Sequence, residues 1–206
     1  TRLVLHTLRG LAVNEPLSLA LSSALEAELG LPVGRIADDD LILLSVPRAD
    51  GIEPTAALRR ALSSLAAPGA LEARIRPVLE GSGTFGAQFR ENAGRALLLP
   101  RGMPGKRTPL WVSRLRAKKL FAAVSGREDF PVIVETSRSC LDDLFDLGGA
   151  AELVRGLAEG RIGLSSFASR APSPFAREAL WKEVGDNMYR SAELVPVCWF
   201  LLYFGL

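Results

Sequence analysis

The stretch from Thr84 to Leu120, TFGAQFRENAGRALLLPRGMPGKRTPLWVSRLRAKKL, sets the strongest limit on how this chain can fold. It carries Arg90, Arg95, Arg101, Lys106, Arg107, Arg114, Arg116, Lys118 and Lys119 against one acid, Glu91, in a chain of 206 residues whose formal net charge is only +2. So many unbalanced cations cannot be buried, and any fold must lay them on a surface. Phe85, Phe89, Ala93, Ala96 and Leu97 recur at helical spacing and predict a helix over 85–99, stopped by Pro100. A loop, 101–108, leads to a second basic helix from about Pro109 to Ser125. Paired as a helical hairpin, the two would carry their cations in one continuous track.

A surface that only needs solubility mixes both signs, whereas a field of one sign attracts an oppositely charged partner. Rings are interleaved with these cations at Phe85, Phe89 and Trp111, and a basic groove with stacking rings is how proteins hold single-stranded nucleic acid. The candidate phosphate contacts are Arg90, Arg95, Arg101, Lys106, Arg107 and Arg114, long cations that can follow a strand without reading its bases. Each ring has two readings, core or stacking platform. Phe89, directly before Arg90 and one turn from Phe85, is the ring placed best for stacking, and Trp111 is a further contact. Asn92 could bond a base edge or cap the local backbone, and the local role is the one expected. The competing account of the whole track is a solvated charge face.

Arg2 to Leu8 reads as a strand, Asn14 and Pro16 as a helix start, Leu41 to Val46 as a second strand and Pro54 to Ala67 as a helix. Leu71 to Leu79 is ambiguous, and Gly81 to Gly86 reads as a joint. A single helix is expected over 132–147, with Asp142, Asp143 and Asp146 near its end, where acids oppose the helix dipole and call for cationic neighbours. A helix at 150–158, a strand at 161–168, a turn at Ser173 to Phe175 and a helix at 176–184 follow. The fold class is α+β: a small mixed or antiparallel sheet in the N-terminal part, packed with a largely helical C-terminal part. One domain is expected over 1–206, with an α/β part at about 1–80 and a helical basic part at about 84–206.

Several chemistries fit poorly. Gly102 to Thr108, GMPGKRT, lacks the Gly and the Ser or Thr that a phosphate-binding P-loop needs around its Gly-Lys pair, and no Walker B context is present. Gly81, Gly83 and Gly86 form a GxGxxG pattern without the preceding buried strand or following acid of a dinucleotide site. One histidine, His6, and two distant cysteines, Cys140 and Cys198, suggest no metal cluster, disulfide or catalytic triad. A hydrolase using Cys140 or His6 is the weakest reading. The isolated chain is expected to be no enzyme and to hold no cofactor or metal. No signal-peptide pattern is seen, the absence of an initiating Met suggests a fragment, and a cytoplasmic setting without membrane contact is expected. Val195 to Leu206, VPVCWFLLYFGL, is too short to span a bilayer and reads as a buried strand or helix end, or as a segment whose natural partner lies beyond this sequence.

The runs FRENAGRALLLPR (Phe89 to Arg101), PGKRTPLW (Pro104 to Trp111) and RLRAKKL (Arg114 to Leu120) resemble the C-terminal part of the core of Lhr, or large helicase-related, proteins. FPVIVET (Phe130 to Thr136), CLDDLFDL (Cys140 to Leu147) and SPFA (Ser173 to Ala176) keep the same order. His6, Gly10 and Asn14 match a first-strand motif of that family, while Leu8, Arg9 and Ala12 depart from it. The resemblance covers nearly the whole chain and implies a DEAD/H-associated domain, which follows two RecA-like motor domains and a winged helix. It implies partners as well: single-stranded DNA or an RNA:DNA hybrid, and the motor domains and winged helix of the same helicase, which would hold ATP and Mg. The implied function is to clamp the tracked strand during 3′ to 5′ translocation and unwinding in DNA repair. The alternative is a protein-interaction module that docks on the motor domains.

Overall fold

The computed structural model describes residues 1–47, 51, 53–100, 109–127, 129–169, 171, 173–186 and 197–204. Its elements run β1 (Arg2–His6), α1 (Leu11–Leu29), β2 (Gly34–Ala37), β3 (Leu41–Ser45), α2 (Pro54–Leu65), α3 (Ala70–Leu79), α4 (Gly83–Arg95), α5 (Leu110–Val124) and α6 (Pro131–Arg138). A π-helical turn, Ser139–Leu144, continues α6, and α7 (Leu147–Ala158), β4 (Ile162–Ser169), α8 (Arg177–Asp186) and β5 (Val197–Phe204) complete the chain. The class is α+β, as the residue pattern predicts.

The chain divides into two compact units, one of Thr1–Arg76 with Asp146–Leu206 and one of Pro77–Phe145. This differs from a division at the Gly81 to Gly86 joint. Gly83 already opens α4, and the chain after residue 145 returns to the first unit instead of extending the helical part.

The first unit is built on a five-stranded sheet in the order β2-β3-β1-β5-β4. The pairs β2–β3, β3–β1 and β5–β4 are antiparallel and β1–β5 is parallel. The sheet is therefore mixed, and two of its strands come from the far end of the sequence. Residues 197–204 of the apolar C-terminal run form the strand between β1 and β4, while 195–196 and 205–206 lie outside the described residues. Period-2 alternation in β1 and β3 puts Val4, Leu41 and Leu43 in a cluster with Ala176 and Ala179 beside α8. Leu3, Leu5, Ile42 and Leu44 are buried with the opposite parity. α1 packs on β2 and β3 and meets α2 and α7, which meet each other.

One covalent detail explains how α7 is tied to α1. Pro16 sits inside α1 and has no N–H, so the carbonyl of Ala12 four residues earlier lacks its helical donor. The Asp146 backbone N–H fills the gap at 2.9 Å. Asp146 also caps α7, its side chain accepting from Gly149 N at 2.7 Å. The expected continuous helix over 132–147 is thus corrected: α6 loosens into the π turn, ends at Leu144, and Asp146 lies at a helix N-terminus, where a carboxylate is favourable. Asp143 finds its cation within the same stretch, in Arg138 at 3.1 Å. The start of α1 is also earlier than Asn14 and Pro16 imply. Gly10, at φ 83, supplies the turn into the helix, and buried Asn14 instead donates to the carbonyls of Asp38 and Asp39 at 2.7 and 3.0 Å.

Candidate nucleic-acid interface

The second unit is assembled around three rings. Ser82 caps α4 by accepting from Phe85 N at 3.0 Å, which fixes the first turn and points Phe85 and Phe89 to one side. Phe121 of α5 meets them edge-on, with ring centroids 5.6 Å from Phe85 and 5.2 Å from Phe89, and the two α4 rings lie 6.3 Å apart. The expected pairing of the two basic helices is present in these contacts. α6 closes the other side of α4, where buried Asn92 donates to Thr136 Oγ1 at 3.2 Å. Asn92 is thus turned into the core toward α6, and its bond is to a side chain 44 residues away instead of the local backbone.

α4 ends sooner than Pro100 would dictate. The N–H groups of Leu97 and Leu98 return to the carbonyls of Gly94 and Ala93, and Leu97 takes a left-handed conformation, φ 59. Ala96 and Leu97 thus leave the apolar face to which spacing assigns them, and both are exposed.

A groove of about 530 Å³ opens between α4 and α5, lined by the three phenylalanines, Ala117, Gly83 and Gly86 together with Arg90, Arg114 and Lys118. Gly83, Gly86 and Arg90 follow one stripe of α4 at i, i+3 and i+7. Trp111, Arg114 and Lys118 repeat that spacing on α5. Glu80 is the acid of the lining. Arg90, Arg114, Arg116, Lys118 and Lys119 make no ion pair among the described residues.

The residues singled out in the sequence are thus sorted. Arg90 and Arg114 come together on the groove. Arg95 does not line it and pairs with Glu91 at 2.6 Å on another face. Arg101, Lys106 and Arg107 lie outside the described residues. Phe89 is 1% exposed, so its ring forms core and offers no face on which a base can stack; that expectation is corrected. Trp111 is 68% exposed one turn before Arg114 and is the ring that remains available. Lys118 was not among the candidates, although its i+4 spacing from Arg114 marks it in the sequence. Gly83 and Gly86, expected in the joint, belong instead to the first turns of α4.

Two other reactive groups are quiet. Burial pushes the Cys140 thiol up to about 11, so at neutral pH it is protonated and not nucleophilic. Burial lowers the pKa of His6, with the charge of Asp40 partly opposing the shift. The His6 ring lies edge-on to Phe175 at 6.2 Å, and Nε2 is 3.4 Å from Ser173 Oγ. The first-strand motif and the SPFA run, which share no local sequence, therefore meet in the first unit. No group of three or more His, Cys, Asp or Glu residues able to hold a metal occurs among the described residues, and no described helix is long and apolar enough to cross a membrane.

Comparison with known proteins gives concordant matches. The family model described as DEAD/H associated matches residues 1–176. The chain is 41% identical over 190 residues to the Lhr helicase/uracil glycosylase of Escherichia coli strain K12, covering 92% of this chain and 12% of that protein. It is 37% identical over 188 residues to the Lhr helicase/probable uracil glycosylase of Mycolicibacterium smegmatis, covering 91% and 12%. The solved structure of the Mycobacterium smegmatis helicase Lhr bound to ssDNA and AMP-PNP matches with a TM-score of 0.64 at 37% identity, over 77% of this chain and 19% of that one. The chain thus spans about an eighth of the length of these two curated relatives.

Proposed function

Since this chain belongs to the DEAD/H-associated family and matches one part of much longer Lhr helicases, we propose that it is the nucleic-acid-binding accessory domain of such a helicase. In this reading the second unit holds the single strand on which the motor steps, acting as a clamp during 3′ to 5′ translocation and unwinding in DNA repair. ATP and Mg are bound elsewhere in the parent protein, by the RecA-like motor domains. The observation that carries the reading is the groove of the second unit, where Arg90, Arg114 and Lys118 make no ion pair among the described residues. Three cations against the single acid Glu80 leave a positive excess that a polyanion stabilises, and a titration with salt measures how many of them take part.

The cations would hold phosphates, and the exposed Trp111 ring, on the same helical stripe as Arg114 and Lys118, would take a base. A related structure that contains ssDNA supports this reading. The docking-module reading draws instead on the exposed Leu8, Leu11 and Phe175 of the first unit. The acids near residue 145, which could also serve a docking partner, are partly engaged within the chain, Asp143 by Arg138 and Asp146 by Gly149.

The test is fluorescence anisotropy of a labelled single-stranded DNA oligomer with the full chain, across a salt series. A combined Arg90→Ala, Arg114→Ala, Lys118→Ala variant is expected to lower the slope of log affinity against log salt by about 2, from roughly 0.7 per phosphate contact. Equal slopes for the two proteins, or no salt-dependent binding by the natural chain, would overturn the reading and favour docking.

A further inference from the structure

Two glycines in this groove have no structural reason to be glycine. Gly83 is the first residue of α4 and Gly86 lies inside it, neither at positive φ, and among the described residues a Cβ built on either would meet no atom within 4 Å. A glycine inside a helix gives up more conformational freedom on folding than alanine does, so the fold is weakened at Gly86, and less so at Gly83 in the first turn, with no contact in return. Both residues line the groove, on the same stripe as Arg90 and opposite Arg114 and Lys118. Gly94, on the same helix, is equally open and does not line the groove.

We infer that Gly83 and Gly86 are a close-approach floor, where the sugar–phosphate backbone of the bound strand lies directly on the main chain of α4. Absence of a Cβ is the usual requirement wherever a ligand must come against a protein backbone. Arg90 on one wall, and Arg114 and Lys118 on the other, neutralise the phosphates of that segment. Phe85 and Phe89 are covered and offer bases no face, so the bases point away from α4, toward the Trp111 side. The ligand chemistry is a phosphodiester chain, recognised by shape and charge without reading sequence. This inference rests on the proposal that the groove holds a strand.

A stability measurement and a binding measurement on the same variants test it. The full chain carrying Gly83→Ala and Gly86→Ala is expected to unfold at a higher denaturant concentration than the natural chain. It is also expected to bind a single-stranded DNA oligomer about tenfold more weakly, the loss of one charge-assisted contact. Gly94→Ala should likewise raise stability and leave affinity unchanged. A purely structural role for the two groove glycines predicts more stable variants that bind as before. That result, with the Arg90, Arg114 and Lys118 variant still impaired, would overturn this inference and leave the proposed function standing. A natural chain that does not bind the oligomer would overturn both. Weaker binding by Gly94→Ala to the same degree as the groove variant would also overturn it, because the effect would then belong to the helix and not to the floor.

Discussion

α1 and α5 are the two longest helices among the described residues, and they are used in opposite ways. In α1 eleven of 19 residues are buried, from Val13 to Leu25, including Asn14, Ser18 and Ser22, whose polar atoms are satisfied within the fold. In α5 only Ala117 and Val124 of 15 residues are buried. Neither sequence shows a sharp apolar stripe, yet for contrary reasons: α1 is apolar nearly all round, and α5 intersperses Arg114, Arg116, Lys118 and Lys119 among apolar residues. A helix of the first sort belongs in a core, and one of the second sort needs something outside the fold to justify its charge. The first unit is therefore scaffold to its centre, while the second spends a three-ring core on presenting a surface.

That contrast can be broken most severely at Phe89. Phe89→Ala empties the middle of the ring cluster and is expected to destabilise the second unit by about 3 to 5 kcal/mol, measured by denaturant unfolding. An unchanged midpoint with weakened strand binding would return Phe89 to the surface role and dissolve the distinction between core and presented face.

Trp111→Ala sharpens the same contrast from the other side. The ring packs little, so stability should move by no more than about 0.5 kcal/mol, while single-strand affinity should drop by about 1 to 3 kcal/mol in an anisotropy titration. A loss of stability equal to the loss of binding would show a structural ring instead.

The smallest effect concerns the scaffold. Burial holds the pKa of His6 below its ordinary value, so below about pH 6.5 the unfolded chain takes up a proton that the folded chain resists. His6 therefore costs nothing above that pH and subtracts stability as pH falls toward the folded value. Melting temperatures between about pH 7.5 and pH 5.5 should fall more steeply for the natural chain than for His6→Gln. Parallel slopes would mean that His6 is not the group that titrates.

The helices with a marked apolar side, α2 over 54–65 and α7 over 147–158, were legible in the sequence, because 3.6-residue spacing records which side of a helix is covered. It does not record what does the covering, which is why Phe89 was open to two readings until Phe121 was found against it. β2, with only Gly34 to Ala37, is too short to show alternation and went unread. The π turn was hidden for a different reason: one extra residue per turn leaves composition untouched and only redirects the side chains after it. The sheet order was beyond reach, since Leu3 opposite Cys198 pairs two segments that share no local pattern. The groove was half legible. Its cations were plain as a run, but their partition, Arg90 with Arg114 and Arg95 apart with Glu91, depends on helical phase and on where α4 stops.

The placement of β5 between β1 and β4 also sets an order of events. On a ribosome, β1 emerges with β3 as a neighbour on one side and must wait on the other until residues 197–204 have been made. All of residues 77–145 is synthesised in that interval, so the rings of α4 and α5 can assemble while the sheet is still incomplete. Pairings between such distant segments close slowly, because a long loop must be ordered first. The groove of the second unit can thus form while half of β1 in the first unit still lacks hydrogen-bond partners.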